Sequence, residues 1–217
     1  MGQKVNPIGF RVGRFAPWKS RWFDEGEDYK NLLIEDVKLR RMLMDRLKLA
    51  GISEVEIDRL PKSMVVTLHV SRPGVVIGRG GSGIEDVKKQ MVSLMREVRG
   101  AGKAIPTKID LHVTEIKSPE LSAYLVATRI VGELERRMPS RRVVTKTMER
   151  VISSGAKGIK VVLAGRVNGA DIGRTEAYHI GSVPTQTLRK DIDYAQIPAL
   201  LKRGYVGVKV WIYKEEK

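Results

Sequence analysis

Two stretches of this chain carry residue types and spacings suited to chemistry with phosphate. Residues 73–87 read P-G-V-V-I-G-R-G-G-S-G-I-E-D-V. An apolar run (Val75, Val76, Ile77) meets a turn of Gly78, Arg79, Gly80 and Gly81, and a helix is expected at once. Ser82 is placed to cap it through its hydroxyl, with Glu85 three residues on to reach back to the cap. Ile84, Val87, Met91, Leu94 and Val98 follow at spacings of three and four, which gives the helix one apolar face. A bare glycine turn feeding a helix N-terminus offers N–H donors and the positive end of the helix dipole, with no side chains in the way, so it suits a phosphate. The second stretch joins two helical patterns. Arg136, Arg137, Arg141, Arg142, Lys146 and Arg150 gather there, with Glu133, Glu135 and Glu149 as the nearby acids. Arg142, Lys146 and Arg150 are four apart and form a stripe on one helix face. An ordinary solvated face has the same look.

Whose phosphate the glycine turn would hold depends on its surroundings. Gly78, Gly80 and Gly83 match G-x-G-x-x-G, but a dinucleotide site needs a strand directly before it and an acid about 20 residues later. Pro73-Gly74 interrupts the approach, and K-A-I-P stands where the acid would be. A P-loop needs Gly-Lys-Ser/Thr, which is missing. The remaining ligand reading is a GxxG loop, the element by which KH domains clamp the backbone of about four nucleotides. A glycine turn that merely packs two helices is the alternative.

The totals narrow the partners. With 40 Lys and Arg against 25 Asp and Glu, the 217-residue chain carries a formal charge of +15. A field of that sign attracts polyanions. There is no cysteine, hence no disulfide or thiolate metal site, which fits a reducing compartment. His69, His112 and His179 fall in predicted strands with no Glu or Cys at ligand spacing, so they read as satisfied or surface histidines. No metal, no cofactor and no catalytic nucleophile–base pair is expected. The first residues have no apolar h-region and no stretch approaches the ~18 apolar residues of a span, so neither a signal peptide nor membrane association is expected.

The elements that must position these stretches fall in a recognisable order. Residues 1–27 read as a basic, aromatic arm: Lys4, Arg11, Arg14, Lys19 and Arg21 precede the first acid, Asp24, while glycines and prolines deny regular structure. Trp18, Trp22 and Phe23 among them suit stacking on bases, or fold back on the first domain. Residues 28–117 read as helix (28–51, with Leu33, Val37, Met44 and Leu47 inward), strand (Val55, Ile57), strand (Met64–Val70), short helix, GxxG, helix and strand (Ile109–Val113). Residues 118–217 begin with a helix capped by Ser118, with Pro119 in its first turn and Tyr124, Ala127, Val131, Leu134 and Met138 on its inner face. A second helix buries Val143, Val144, Thr147, Met148, Val151 and Ile152. Strands are expected at 159–163, 176–183 and 206–212, with a turn at Asn168-Gly169. The fold class is α+β, two helices lying on a mainly antiparallel sheet in the second half.

That order around V-I-G-x-x-G resembles a type II KH domain. The opening G-Q-K-V-N-P-I-G-F-R and the segments G-A-K-G-I-K-V, G-R-T-E, L-R-K-D-I-D-Y and G-V-K-V-W-I-Y resemble bacterial small-subunit ribosomal protein three, collinearly from Gly2 to Tyr213. The resemblance implies a structural constituent of the small ribosomal subunit, bound to its ribosomal RNA in the head and lining the mRNA entry channel. It implies neighbours too: small-subunit proteins ten and fourteen in the head, and four and five at the mRNA entry. Arg141 and Arg142 match an arginine pair that the family uses in mRNA unwinding. The third basic position of that motif falls on Thr145, with Lys146 one residue later and ~100° around the helix. Gly78–Gly81 with Arg79 would contact RNA backbone, with only one basic residue in the loop. Lys4, Arg11, Arg14, Lys19, Arg21, Arg136, Arg137, Arg166 and Arg174 would contribute further ribosomal RNA contacts, Arg166 standing equally well as a solvent residue of its sheet. The rival readings are a stand-alone KH RNA chaperone or processing factor and a nucleotide-binding enzyme. A thermal-shift scan with nucleotides separates off the second.

Overall fold

A computed structural model of the chain describes residues 4–13, 15–60, 63–99 and 108–214. Arg14, the turn expected at Pro61-Lys62 and the helix stop expected at Gly100 and Gly102 lie outside them. The chain divides into two compact units: Met1–Pro17 with Ser118–Lys217, and Trp18–Lys117. The segment read as one arm is therefore shared between them. Its first part holds a short helix α1 (Pro7–Arg11), capped by Asn6 Oδ1, which accepts from the Ile8 and Gly9 N–H groups. Its second part supplies a two-residue strand β1 (Ser20–Arg21) to the other unit.

In the Trp18–Lys117 unit β1 is followed by α2 (Gly26–Arg46), β2 (Ile52–Arg59), β3 (Ser63–Val70), α3 (Pro73–Ile77), α4 (Ser82–Arg99) and β4 (Lys108–Glu115). The sheet order is β1-β2-β3-β4; β2 and β3 pair antiparallel, the outer pairs parallel. Val55, Ile57, Met64, Val66, Leu68 and Val70 alternate onto the buried face and meet Val87, Met91 and Met95 of α4. This is the helix-strand-strand-helix-GxxG-helix-strand order expected of a type II KH domain.

Helix α2 turns a different face inward from the one its apolar spacing suggests. Leu33 and Val37 are 45% and 52% exposed, whereas Glu35 and Asp36 are 0% and 2% exposed beside Leu39 and Leu43. Arginines from elsewhere in the fold dictate that choice. Arg59 of β2 donates to Glu35 Oε1 at 3.1 Å and to Asp36 Oδ1 at 2.9 Å. Arg99, the last residue of α4, donates to Glu35 Oε2 at 2.8 Å. Asp36 Oδ2 accepts from Trp22 Nε1 at 2.8 Å and from Ser20 Oγ at 3.2 Å. Trp22 is thereby folded back, 5.4 Å from the Tyr29 ring and under the Arg59 guanidinium; Trp18 and Phe23 stay exposed. Two carboxylates can be dry here because their lone pairs are filled by guanidinium, indole N–H and hydroxyl donors.

The other unit contains α5 (Ala123–Glu135), α6 (Ser140–Ser153), β5 (Gly158–Gly165), β6 (Arg174–Gly181), β7 (Ile192–Leu201) and β8 (Gly204–Tyr213). The sheet order is β6-β5-β8-β7, antiparallel throughout, and both helices pack on one face of it. Pro119–Leu121 forms a separate single turn, so α5 starts later than the Ser118-Pro119 signal. The reason is a long-range cap: Asp193 Oδ2 in β7 accepts the Ala123 N–H at 3.0 Å. Met138 lies past the helix and is 41% exposed rather than buried. β7 is a strand that the sequence reading lacks. Pro198 interrupts its pattern, and proline is tolerated there because β7 is an edge strand. Among the described residues no helix is long and apolar enough to cross a membrane.

Because the Glu35–Arg59–Asp36–Arg99 cluster is nearly dry, removing one charge leaves the others uncompensated. Glu35→Gln is expected to lower unfolding free energy by about 3–5 kcal/mol, read as a drop in the urea midpoint. A loss below about 1 kcal/mol, the value of an exposed pair, would show that the cluster is not what holds α2 and α4 to the sheet.

Candidate nucleic-acid interface

The glycine turn divides its glycines between two jobs. A Cβ on Gly78 would sit 2.9 Å from the Gly83 amide nitrogen, and one on Gly83 would run into the Val76 carbonyl oxygen. These two positions let the end of α3 pass against the start of α4. Gly80 and Gly81 have φ of 61° and 85° with open space around them, so they are needed for conformation alone. Ser82 does not cap α4 as expected. It is already helical (φ −57°, ψ −33°), and its hydroxyl donates to the Arg79 carbonyl at 3.0 Å. That bond pulls the Arg79 peptide into the turn and leaves the first N–H groups of α4 without a Ser82 side-chain acceptor. Arg79 is exposed and makes no ion pair among the described residues. Beside it Val75 and Ile77 are 49% and 40% exposed. They form an apolar margin that the sequence shows only as a hydrophobic run.

The α5–α6 joint is more demanding of the backbone. The Arg137 N–H reaches the Leu134 carbonyl at 2.9 Å and the Met138 N–H reaches the Glu133 carbonyl at 3.2 Å. These two bonds make a Schellman ending, in which the residue after the cap adopts the left-handed conformation and is usually glycine. Here it is Arg137, at φ 63°. The chain then turns through Pro139 into α6, whose first N–H (Ser140) donates to Asn168 Oδ1 at 3.1 Å. Asn168 itself has φ 56°, a conformation asparagine tolerates well. A remote loop thus holds the start of the arginine-bearing helix. Val143, Val144, Thr147, Met148 and Val151 bury one side of α6, which sends Arg141, Arg142, Thr145, Lys146, Glu149 and Arg150 to solvent. An open groove is lined by Pro139, Arg141, Arg142, Thr145, Lys146 and Glu149. The one-residue offset between Thr145 and Lys146 therefore does not remove the lysine from the arginine pair's groove.

Among the described residues no ion pair involves Arg136, Arg137, Arg141, Arg142, Lys146 or Arg150. The other cations singled out from the sequence are differently placed. Arg11 is 4% exposed; its guanidinium donates to the carbonyls of Lys190 (2.8 Å), Pro7 (3.0 Å), Thr185 (3.2 Å) and Thr187 (2.8 Å). Burial lowers its pKa, and Asp191 partly offsets that. Lys19 pairs with Glu54 at 3.2 Å. Arg21 pairs with Asp58 at 2.6 Å and Glu56 at 2.8 Å, and the Asp58 bond raises its pKa. Arg166 holds the Ala170 carbonyl at 2.7 Å and Asp171 at 3.0 Å, and Arg174 holds Glu176 at 2.8 Å. Lys4 is exposed. His69 Nε2 lies 3.2 Å from Glu56, and His112 and His179 are at the surface.

The family comparisons match both units. A KH domain is recognised over residues 38–121, and the ribosomal protein S3 C-terminal domain over residues 130–212. The small ribosomal subunit protein uS3 of Caldicellulosiruptor saccharolyticus is 47% identical over 214 residues, covering 99% of this chain and 92% of that protein. The uS3 proteins of Leuconostoc citreum (45% over 216 residues, 99% and 95% covered) and Salinibacter ruber (47% over 216 residues, 100% and 87% covered) are similar along the same length. The chain belongs to the uS3 family. Among the described residues, Arg79 at the GxxG turn and the unpaired cations of the α5–α6 joint lie within the two stretches that define that family.

Arg137 is the residue at which stability and charge conflict. The left-handed conformation costs a non-glycine residue about 1–2 kcal/mol, so Arg137→Gly is expected to stabilise the chain by about 1 kcal/mol while weakening RNA binding severalfold. Paired urea melts and RNA titrations check this. Unchanged stability together with unchanged RNA affinity would contradict it.

Proposed function

We propose that this uS3-family chain is a structural constituent of the small ribosomal subunit, binding its ribosomal RNA in the head. In this reading the α5–α6 joint lines the mRNA entry channel, and Arg141, Arg142 and Lys146 engage incoming mRNA and help open its structure. Small-subunit proteins ten and fourteen are its neighbours in the head, and four and five its neighbours at the entry. The single observation that carries the reading is the sorting of cations. Among the described residues the arginines of the α6 groove have no carboxylate partner, whereas Arg11, Arg21, Arg166 and Arg174 are engaged internally. An unpaired guanidinium on a rigid helix is pre-set to meet a phosphate with two parallel hydrogen bonds. Around the GxxG turn, Arg79, exposed apolar margins and open glycine backbone favour the sugar-phosphate backbone of RNA over a nucleotide cofactor.

The cations at these positions have unequal roles. Arg11 acts as a clamp for the residues after β6 rather than as an RNA contact, and Lys19 and Arg21 act mainly within their own sheet. Arg136, Arg137 and Lys4 remain available to ribosomal RNA. Arg141→Ala with Arg142→Ala should slow translation through a stable mRNA hairpin several-fold while subunits still assemble. Equal rates on hairpin and unstructured messages, relative to wild type, would remove the unwinding role.

A further inference from the structure

Helices α5 and α6 cover one face of the β6-β5-β8-β7 sheet; the other face is built differently. Strand register places His179, Lys160, Trp211 and Tyr194 in one row across all four strands. Lys209 stands in the adjacent row, between Val162 and Gln196. The Trp211 and Tyr194 rings are 5.1 Å apart and tilted by 41°. Lys160 Nζ lies 5.7 Å from the centre of the Trp211 ring. Lys4 comes beside Lys160; burial first, and then that neighbouring ammonium, lowers the Lys160 pKa. The outward positions of the strands in these rows and the next (175, 177 and 179; 160, 162 and 164; 207, 209 and 211; 194, 196 and 198) carry no Asp or Glu.

Among the described residues no carboxylate pairs with Lys4 or Lys160, and two neighbouring ammonium groups are relieved by an anion. An aromatic pair directly beside them supplies a surface on which a base can stack. Protein-binding faces are depleted in lysine at their centres, which argues against a protein occupant here. Duplex RNA hides its bases in the stack, so the rings select single strands. We propose that this second face binds a single-stranded RNA segment, a base stacking on the half-buried Trp211–Tyr194 pair and its phosphate held by Lys4 and Lys160, with Lys209 and His179 at the margins. It rests on the reading of the chain as an RNA-bound ribosomal constituent, and it uses none of the residues of the GxxG turn or the α6 groove.

Photo-crosslinking of the full chain to 4-thiouridine-substituted oligouridine, followed by mapping of the crosslinked peptides, tests it. Crosslinks are expected in the peptides holding Tyr194 and Trp211, displaced by unlabelled oligouridine far better than by duplex RNA. Lys4→Gln with Lys160→Gln should lower their yield about tenfold and leave crosslinks near Arg79 unchanged, so that loss of folding cannot account for the result. Trp211→Phe, which keeps a ring, should preserve the yield within about threefold, and Trp211→Leu should not. Crosslinks confined to the GxxG turn and α6 would overturn the proposed face while leaving the RNA-binding function standing. Equal displacement by duplex would also overturn it, and the absence of any crosslink would overturn both.

Discussion

Two buried carboxylates set the arrangement of the KH unit. Glu35 and Asp36 reach a dry interior only because Arg59, Arg99, Trp22 and Ser20 fill their lone pairs. An unpaired charge in that position would shift the balance by several kcal/mol. The same contacts tie β1 and Trp22 to α2, α2 to β2, and the end of α4 to α2. Since the GxxG turn lies at the other end of α4, the cluster also decides how firmly that turn is held. In a chain with 15 more cations than anions, each carboxylate engaged inside the fold leaves one fewer to neutralise the surface. Charge compensation within the fold and charge left for RNA are thus two sides of one distribution.

The C-terminal unit follows the same logic by other means. Its apolar core is continuous from α5 and α6 through β5 and β8, so the cations on α6 need no internal partner to keep the helix in place. Their positions are set by backbone devices instead: the Schellman ending at Arg137, the Pro139 turn, and the Asn168 side chain on the Ser140 N–H. A left-handed arginine is an unfavourable way to end a helix, and it keeps a cation where glycine would keep none. The sheet face away from the helices shows the converse case, with half-buried lysines and aromatics side by side and no carboxylate at the outward positions.

Much of this was legible in the residues. Alternating Met64–Val66–Leu68–Val70, the apolar periodicity of α4 and α6, and the glycine turn between α3 and α4 are local patterns, and they led to the observed α+β order and to the turn itself. What escaped depended on partners distant in the chain. The buried face of α2 follows arginines 24 and 64 residues away, so Leu33 and Val37 read as inward. Arg11 looks like a solvent cation until the Thr185, Thr187 and Lys190 carbonyls surround it, up to 179 residues later. The start of α5 depends on Asp193, and β7 is hidden by a proline that only an edge strand admits. Ser82 followed the capping pattern in type, but the glycine turn had already brought it into helical conformation. The Trp211–Tyr194 pair had no local signal either, because the rows of a sheet form only once register is known.

Sedimentation of a tagged chain with small subunits through a sucrose gradient, before and after a high-salt wash, tests the central claim most directly. Non-specific phosphate binding collapses steeply with salt, whereas a component whose cations, backbone turn and sheet face are all engaged should stay. The account predicts stoichiometric retention on small subunits after the wash. Recovery of the chain at the top of the gradient at moderate salt would contradict it, and would mark the protein as a free-standing RNA binder instead.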